Sequence, residues 1–450
     1  MTAVAAAARL PSVVVQEVGN PMLAPSKTLA PLRHKSYRLL FLSFVISMVG
    51  DGVWLVALPW ITITIGGGSS DLAMVVGAES VGLVSCVLVG GALADRYPRK
   101  AVIAWSFVAS LAVLSAVAVA HASGHLAVWH LTAAAFVLGA SAAVSGPAAD
   151  AFTPDLVPEE DLHAANALES VVRSLAARMA GPALGGVLIS LFSPLPVILL
   201  DAASFGVAAL CAWSVKPLRA AGGQDGEEAD GEPVPYRKAL SYLFGERWLW
   251  VLILWSGVVL LLQTGPRQVL LPFVIHNDLG GDARDYGTLL AVFGISAMAG
   301  SLFLASRRPP RHYPLWMLLA WTAGAAPLAL MVFVPSFWML LPLAAVYGVF
   351  SSMGNVYWST LVQTRVPAAV RGRVFSIDWL GSLALVPVSM ALAGIGSGRE
   401  FVVWFFVLGG TLPVLLTLLT LRYVDLRALA PGDDAPAAKG PDEELAAQPA

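Results

Sequence analysis

Charge is scarce in this chain. Only 12% of its 450 residues are Asp, Glu, Lys or Arg, about half of the ~25% usual in soluble domains. A water-soluble fold of this size would then have to leave broad apolar patches against solvent, which monomers rarely tolerate. The charges present also balance: 27 Lys and Arg oppose 29 Asp and Glu, a formal net of −2. Without a basic excess or stripe, nucleic-acid binding is not expected. Cysteine is nearly absent. Cys86 and Cys211 both lie in apolar runs and far apart, which excludes a disulfide framework. There is no Gly-x-x-x-x-Gly-Lys-Ser/Thr phosphate loop, no His-Glu-x-x-His, no paired Cys-x-x-Cys and no Gly-x-Ser-x-Gly. The seven histidines stand mostly in or beside loops and form no metal constellation. No enzymatic chemistry, metal or cofactor is therefore expected.

What the chain has in abundance is apolar length. Hydrophobic residues make up 57% and the mean hydropathy is +0.75. A membrane-spanning helix needs about 20 mostly apolar residues. Such segments fall at 37–66, 72–94, 101–121, 126–148, 164–192, 195–215, 248–274, 286–306, 313–333, 336–362, 374–397 and 400–421. The expectation is an all-α membrane protein of about twelve transmembrane helices. The polar stretch 216–247, rich in Gly, Asp and Glu, divides them six and six. The chain thus parses into 1–32 (a disordered N-terminal segment without the pattern of a cleavable signal), a six-helix half at 33–215, a linker at 216–247, a second half at 248–424, and a disordered tail at 425–450. Loop Lys and Arg fall overwhelmingly on one side, among them Arg33, Lys35, Arg96, Arg99, Lys100, Arg307, Arg365 and Arg422. Only Arg284 and Arg399 fall on the other. Both termini and the linker are therefore expected in the cytoplasm of a cell whose plasma membrane holds the chain.

The halves echo each other. Gly91-Ala-Leu93 and Gly300-Ser-Leu302, Val157-Pro158 and Val366-Pro367, and Gly185 and Gly394 all recur at an offset of 209 residues. Three matches at one spacing favour two parallel six-helix repeats, an arrangement that secondary transporters use with the substrate site between the halves.

The most specific local pattern follows the second segment: Gly91-Ala92-Leu93-Ala94-Asp95-Arg96-Tyr97-Pro98-Arg99-Lys100. It resembles the loop signature of the major facilitator superfamily, with Pro98 where that family usually has Gly. The resemblance implies a cytoplasmic gate built from Gly91, Asp95, Arg96 and Arg99. Gly91 would let a neighbouring backbone approach, and Asp95 would cap a helix or pair with an arginine. A plain topology anchor with an incidental Asp is the alternative. The second half carries a reduced copy, Gly300 to Arg308, without the Asp. Gly181-Pro182-Ala183-Leu184-Gly185-Gly186 resembles the fifth-helix signature of exporters in the superfamily, and a bend is expected there. Ser47 to Trp60, Leu156 to Leu168, Asp201 to Phe205 and Arg371 to Val374 together are similar to its macrolide- and siderophore-exporter branch. That likeness implies a proton-driven exporter of a small hydrophobic or amphipathic compound, acting as a monomer in the lipid bilayer. An uptake symporter or facilitator for a nutrient or lipid is the alternative on the same fold.

Ionisable residues inside spans cost about 2.5–3.5 kcal/mol each at mid-helix and mark function by default. Asp51 and Glu79 are the proton-coupling candidates, with Arg173 and Arg178 as counter-charges. A structural ion pair is the competing reading for Asp51, and a pairing role for Glu79. Asp201 and Asp378 stand close enough to helix ends that capping is expected. Trp54, Gln263, Asn355 and Tyr357 are candidates for the substrate cavity, although such aromatics more often pack or anchor at the interface and the two amides can bond across helices just as well. Trp60, Trp255, Phe293, Tyr347 and Trp358 can line it too, but such residues more often pack between helices or anchor at the membrane interface.

Overall fold

A computed structural model describes residues 29–158, 161–162, 164–165, 168–169, 175–216, 236–305, 307, 310–367, 370, 373–374, 377–378, 381–382, 384–396, 398–426 and 429. Among these there is no β-strand. The long helices of the first half are α1 (Lys35–Thr64), α2 (Ser69–Arg96), α3 (Arg99–Ala122) and α4 (Val128–Phe152). They are followed by α5 (Gly181–Leu191), preceded by a π-helical turn at Ala176–Ala180, and by α6 (Pro194–Trp213). A short helix α7 (Tyr236–Gly245) occupies the end of the linker, a helix that composition alone did not announce. The second half holds α8 (Arg247–Gly265), α9 (Ala283–Ala305), α10 (Tyr313–Met331), α11 (Phe337–Arg365), α12 (Val386–Ile395) and α13 (Arg399–Tyr423). Beyond α8 the chain continues through π-helical turns at Pro266–Leu270 and Val274–Asp278.

Nine helices among the described residues are long and apolar enough to span a bilayer, and α5 and α12 are shorter apolar helices. Helices therefore stand at the positions of the expected segments, although the nine are fewer than the twelve expected. Their ends follow from local chemistry. After α1 the chain reverses at Gly66 with φ +82°, a backbone region other residues rarely adopt. At the start of α2 the Asp71 carboxylate accepts the Gly68 N–H at 2.8 Å.

Lipid leaves its imprint on the surface. Trp129, Trp338 and Trp404 are exposed near one end of the bundle, and Trp105, Trp213 and Trp316 near the other. Two aromatic belts of this kind are where amphipathic indoles settle at both membrane interfaces. Inside, small residues set the packing, as expected where helices cannot gain by hiding from an equally apolar solvent. In the first half, α2 and α4 cross with their backbones nearly touching: a methyl at Gly139 would collide with the Glu79 carbonyl, and one at Gly82 with the Phe136 carbonyl. In the second half α9 and α11 repeat this, Gly348 against the Phe293 carbonyl and Gly300 against the Val349 carbonyl. Gly139 and Gly348 stand 209 residues apart, so the internal repeat is also a repeat of contacts.

The halves meet toward the end that carries the 65–68 and 279–282 turns. Here α5 packs on α9 and α2 packs on α12. A Cβ at Gly186 would lie 2.9 Å from the Ala283 carbonyl and 3.1 Å from Gly287 Cα, and one at Gly394 would lie 2.6 Å from Ala73 Cβ. Trp60 stacks on Tyr286 across the same seam, centroids 6.3 Å apart.

Candidate functional site

Among the described residues, a smaller and a larger cavity enter the bundle. The smaller, about 240 Å³, lies wholly within the first half, between α1, α3, α4 and α6. Asp51 stands in its wall, at mid-length on α1, its side chain open to the cavity. The rest of that wall is mostly aliphatic and phenylalanine, with two further carboxylates, Asp150 and Glu169, and with Thr153 and serines, of which Ser47 donates to the Phe44 carbonyl and Ser110 to the Ser106 carbonyl. No described side chain forms an ion pair with Asp51. Glu79, on α2, is half-buried and lies within electrostatic reach of Asp51. Arg173 and the Arg178 side chain lie outside the described residues, as do the side chains of Gly91 and Asp95.

The larger cavity, about 540 Å³, is lined mainly by α8, α9, α10 and α11, with Leu55 and Pro182 contributed by the first half. It lies between the halves. Gln263 and Asn355 are in its wall, with Trp255, Phe293, Tyr347 and Trp358. Trp54 and Tyr357 are buried and line neither cavity. The Gln263 amide bridges helices: its Nε2 donates to the Gly409 carbonyl at 3.1 Å and its Oε1 accepts from the Tyr347 hydroxyl at 3.0 Å. Asn355 Oδ1 accepts the Trp321 indole N–H at 3.0 Å.

Two carboxylates expected to cap helices do something else. Asp378 lines the larger cavity, its Oδ2 accepting the Trp358 indole N–H at 2.9 Å. Asp201 is buried on the second turn of α6, whose N-cap is Ser193. It presses on α1, where a Cβ at Gly50 would strike Asp201 Oδ1 and Ser204 Oγ. The reason is one of register: α6 begins at Pro194, which carries Asp201 past the unsatisfied N–H groups that a cap serves.

Arg267 was missed altogether. It sits on the π-helical turn Pro266–Leu270, in the cavity wall, donating to the Tyr347 hydroxyl at 3.1 Å. Its guanidinium carbon lies 5.5 Å from the Phe293 ring centroid and 5.2 Å from that of Tyr347. The signal was available: a charged residue inside the apolar run 248–274.

The exporter-like residues of α5 also have places. Gly181 and Gly185 face α1, where a Cβ would come within 2.5 Å of Gly52 Cα and 2.8 Å of the Val53 carbonyl, while Gly186 faces α9. The π-helical turn stands directly before Gly181 and Pro182. Arg96 is exposed at the end of α2. Arg99 donates to Asp155 Oδ2 at 2.7 Å, a contact inside the first half.

A lipid-belted bundle of two repeated halves around a central cavity defines a transporter of the major facilitator superfamily. Within that class the chain belongs to the transmembrane secretion effector family, whose model matches residues 26–448. It is 27% identical over 369 residues to the multidrug efflux pump Tap of Mycobacterium tuberculosis, covering 79% of this chain and 85% of that protein. It is 27% identical over 411 residues to the enterobactin exporter EntS of Shigella boydii, covering 88% and 93%. In fold it is similar to a bacterial homologue of the iron transporter ferroportin, solved in an inward-facing state. That likeness has a TM-score of 0.65 at 18% identity and covers 87% of this chain and 98% of that one.

Proposed function

We propose that this transporter exports a small hydrophobic or amphipathic compound by alternating access, driven by the proton gradient across the plasma membrane. The observation that carries the reading is the position of Asp51. An acidic side chain stands at mid-helix, in an internal cavity, with no described cation beside it. Holding a carboxylate there is costly, and the cost is repaid if the group takes up and releases a proton once per cycle. Glu79 is the second coupling group, and Arg173 or Arg178 supplies the counter-charge. The compound sits in the larger cavity, whose aromatic wall suits apolar surface and whose few polar groups orient it.

Alternating access then needs one end closed while the other opens. The glycine-tight seam of α5 on α9 and α2 on α12 is the outer closure, with Pro182 and the π-helical turn before it as the bend that lets α5 yield. Gly91, Asp95, Arg96 and Arg99 form the inner latch, on the side where both termini lie in the cytoplasm. The chain works as a monomer, since each copy holds both halves and the cavity between them.

Everted vesicles energised with a proton gradient test this reading. A panel of dyes, macrolides and siderophores should provoke compound-dependent proton release from wild-type vesicles and none from Asp51→Asn. Proton release retained in full by the variant would remove Asp51 from the coupling role. Gradient-driven movement in the opposite direction would favour an uptake symporter.

A further inference from the structure

The larger cavity holds two opposite charges that do not neutralise each other. Arg267 and Asp378 both line it, yet they form no ion pair with one another or with any described residue. Arg267 has five N–H donors and commits one to the Tyr347 hydroxyl. Asp378 accepts a single indole N–H, from Trp358. Uncompensated charges at membrane depth are expensive, and both persist in one cavity.

The wall between them is aromatic. Trp255 stacks on Trp321, centroids 5.3 Å apart and planes 17° apart, and Trp321 leans on Trp358 at 6.1 Å. Trp358 in turn donates to Asp378, so the carboxylate stands at one edge of a tryptophan surface. Carboxylate and indole faces together attract an organic cation. Arg267, packed by Phe293 and Tyr347, offers a forked donor to a carboxylate. A third group is unsatisfied: the Trp255 indole nitrogen is buried and has no hydrogen-bond partner. Buried donors are normally paired, so an absent acceptor is implied here.

We infer that the cavity between the halves is a binding site for a flat, amphoteric aromatic compound, its acidic group on Arg267 and its cationic amine against Asp378 and the Trp255–Trp321–Trp358 surface. This rests on the reading that the larger cavity carries the transported compound, and it names that compound's chemical class. A zwitterion presents both charges while remaining neutral overall, so each half-buried group gains a partner and no net charge is brought into the membrane. A volume of about 540 Å³ is within the range of sites for drug-sized ligands.

Equilibrium dialysis of the purified full chain in nanodiscs at pH 7.4 tests the inference with three probes. Norfloxacin is a flat zwitterion with an ammonium and a carboxylate at opposite ends, tetraphenylphosphonium is a cation alone, and 2-naphthoate is an anion alone. The wild type should bind norfloxacin about tenfold tighter than either of the others. Asp378→Asn should weaken norfloxacin and tetraphenylphosphonium about tenfold and leave 2-naphthoate within about twofold. Arg267→Gln should weaken norfloxacin and 2-naphthoate and spare tetraphenylphosphonium. Asp378→Glu and Arg267→Lys, which keep the charges, should restore most of the binding and separate lost charge from lost fold. Equal affinity for all three probes, weakening of all three by either neutral variant, or no binding of norfloxacin to the wild type would each overturn the proposal. Dialysis involves no gradient. Binding that fails while vesicles still pump overturns the ligand class alone, and binding that holds while vesicles stay silent indicts the export reading.

Discussion

The two cavities divide the chemistry of the molecule between its halves. The one in the first half is small, about 240 Å³, and its wall sets Asp51, Asp150 and Glu169 among aliphatic, phenylalanine and serine side chains. The one at the second half is about 540 Å³ and carries three tryptophans, two tyrosines, three amides, an arginine and an aspartate. Sites for drug-sized ligands run from about 300 to 1,000 Å³. The first is below that range and suits a proton and its hydration; the second can enclose an organic molecule. The repeat has thus specialised twice on similar backbones: the α2–α4 and α9–α11 crossings share the close approach at Gly139 and Gly348, while tryptophan, amide and arginine side chains line the larger cavity and not the smaller. Coupling and recognition can then be altered separately, and that separation can be tested.

The largest effect should come from forcing the halves apart. A side chain at position 287 would enter the space where Pro182 O and Gly186 Cα stand 2.7 and 2.8 Å from an added Cβ. These are backbone atoms and cannot step aside. Gly287→Val should reduce transport by about a hundredfold or more while a folded bundle persists, because each half keeps its own core. A cysteine introduced by Leu55→Cys, with Cys86 and Cys211 replaced by serine, reports on access. In the Gly287→Val background, a water-soluble thiol reagent applied from the 65–68 side should reach it faster than in the parent. An unchanged labelling rate with normal transport would show that this seam does not close the site.

Next in size is Asp51→Asn. Gradient-driven transport should fall at least about tenfold, while norfloxacin binding in the larger cavity changes by less than about twofold. If binding fell in parallel with transport, the division between the cavities would be wrong and the two would form one site.

These expectations rest on features of unequal legibility. Membrane spans and the repeat could be read because each is a property of long runs, whereas the six-and-six division stays an expectation. Asp51 could be read because a charge at the middle of an apolar helix is conspicuous wherever it points. Which way residues point could not be read, since helices such as α1 and α8 are apolar all round and no periodicity marks the face on a cavity. Trp54 and Trp255 look alike in sequence; packing buries the first away from both cavities and sets the second in a wall. Asp201 and Asp378 stand near helix ends in the sequence, yet Asp201 is already on the second turn of α6 and Asp378 accepts an indole N–H in the cavity wall, so nearness to an end did not make either a cap. Arg267 needed no structure to find, only the same attention that Asp51 received. The latch around Asp95 and the pairing of Arg173 stay expectations, because those side chains lie outside the described residues.

A smaller effect should follow from Tyr347→Phe. The hydroxyl joins Arg267 to Gln263, accepting from one and donating to the other. Removing it leaves the buried Gln263 Oε1 without its donor, at a cost of about 1–3 kcal/mol that thermal unfolding in nanodiscs can measure. It also releases Arg267. If Arg267 serves the ligand, 2-naphthoate binding should change by several-fold while coupling through Asp51 does not. A melting temperature equal to wild type would mean that the network does not hold the second half together.

The smallest effect is expected at the rim of the first half, where the sequence pattern alone would suggest a large one. Arg99 belongs to the loop motif, yet its carboxylate partner Asp155 is in the same half, 2.7 Å away, with both side chains more than a third exposed. Exposed pairs of this kind contribute about 0–1 kcal/mol and weaken with salt. The Arg99–Asp155 contact lies within one half and moves with it as it rocks, so the part of Arg99 in the latch does not run through Asp155. Asp155→Asn should therefore lower stability by less than about 1 kcal/mol and leave transport within about twofold. A severe transport defect from this one change would place Asp155 at a contact the two halves make and break during the cycle, and would draw the first half's rim into the gate.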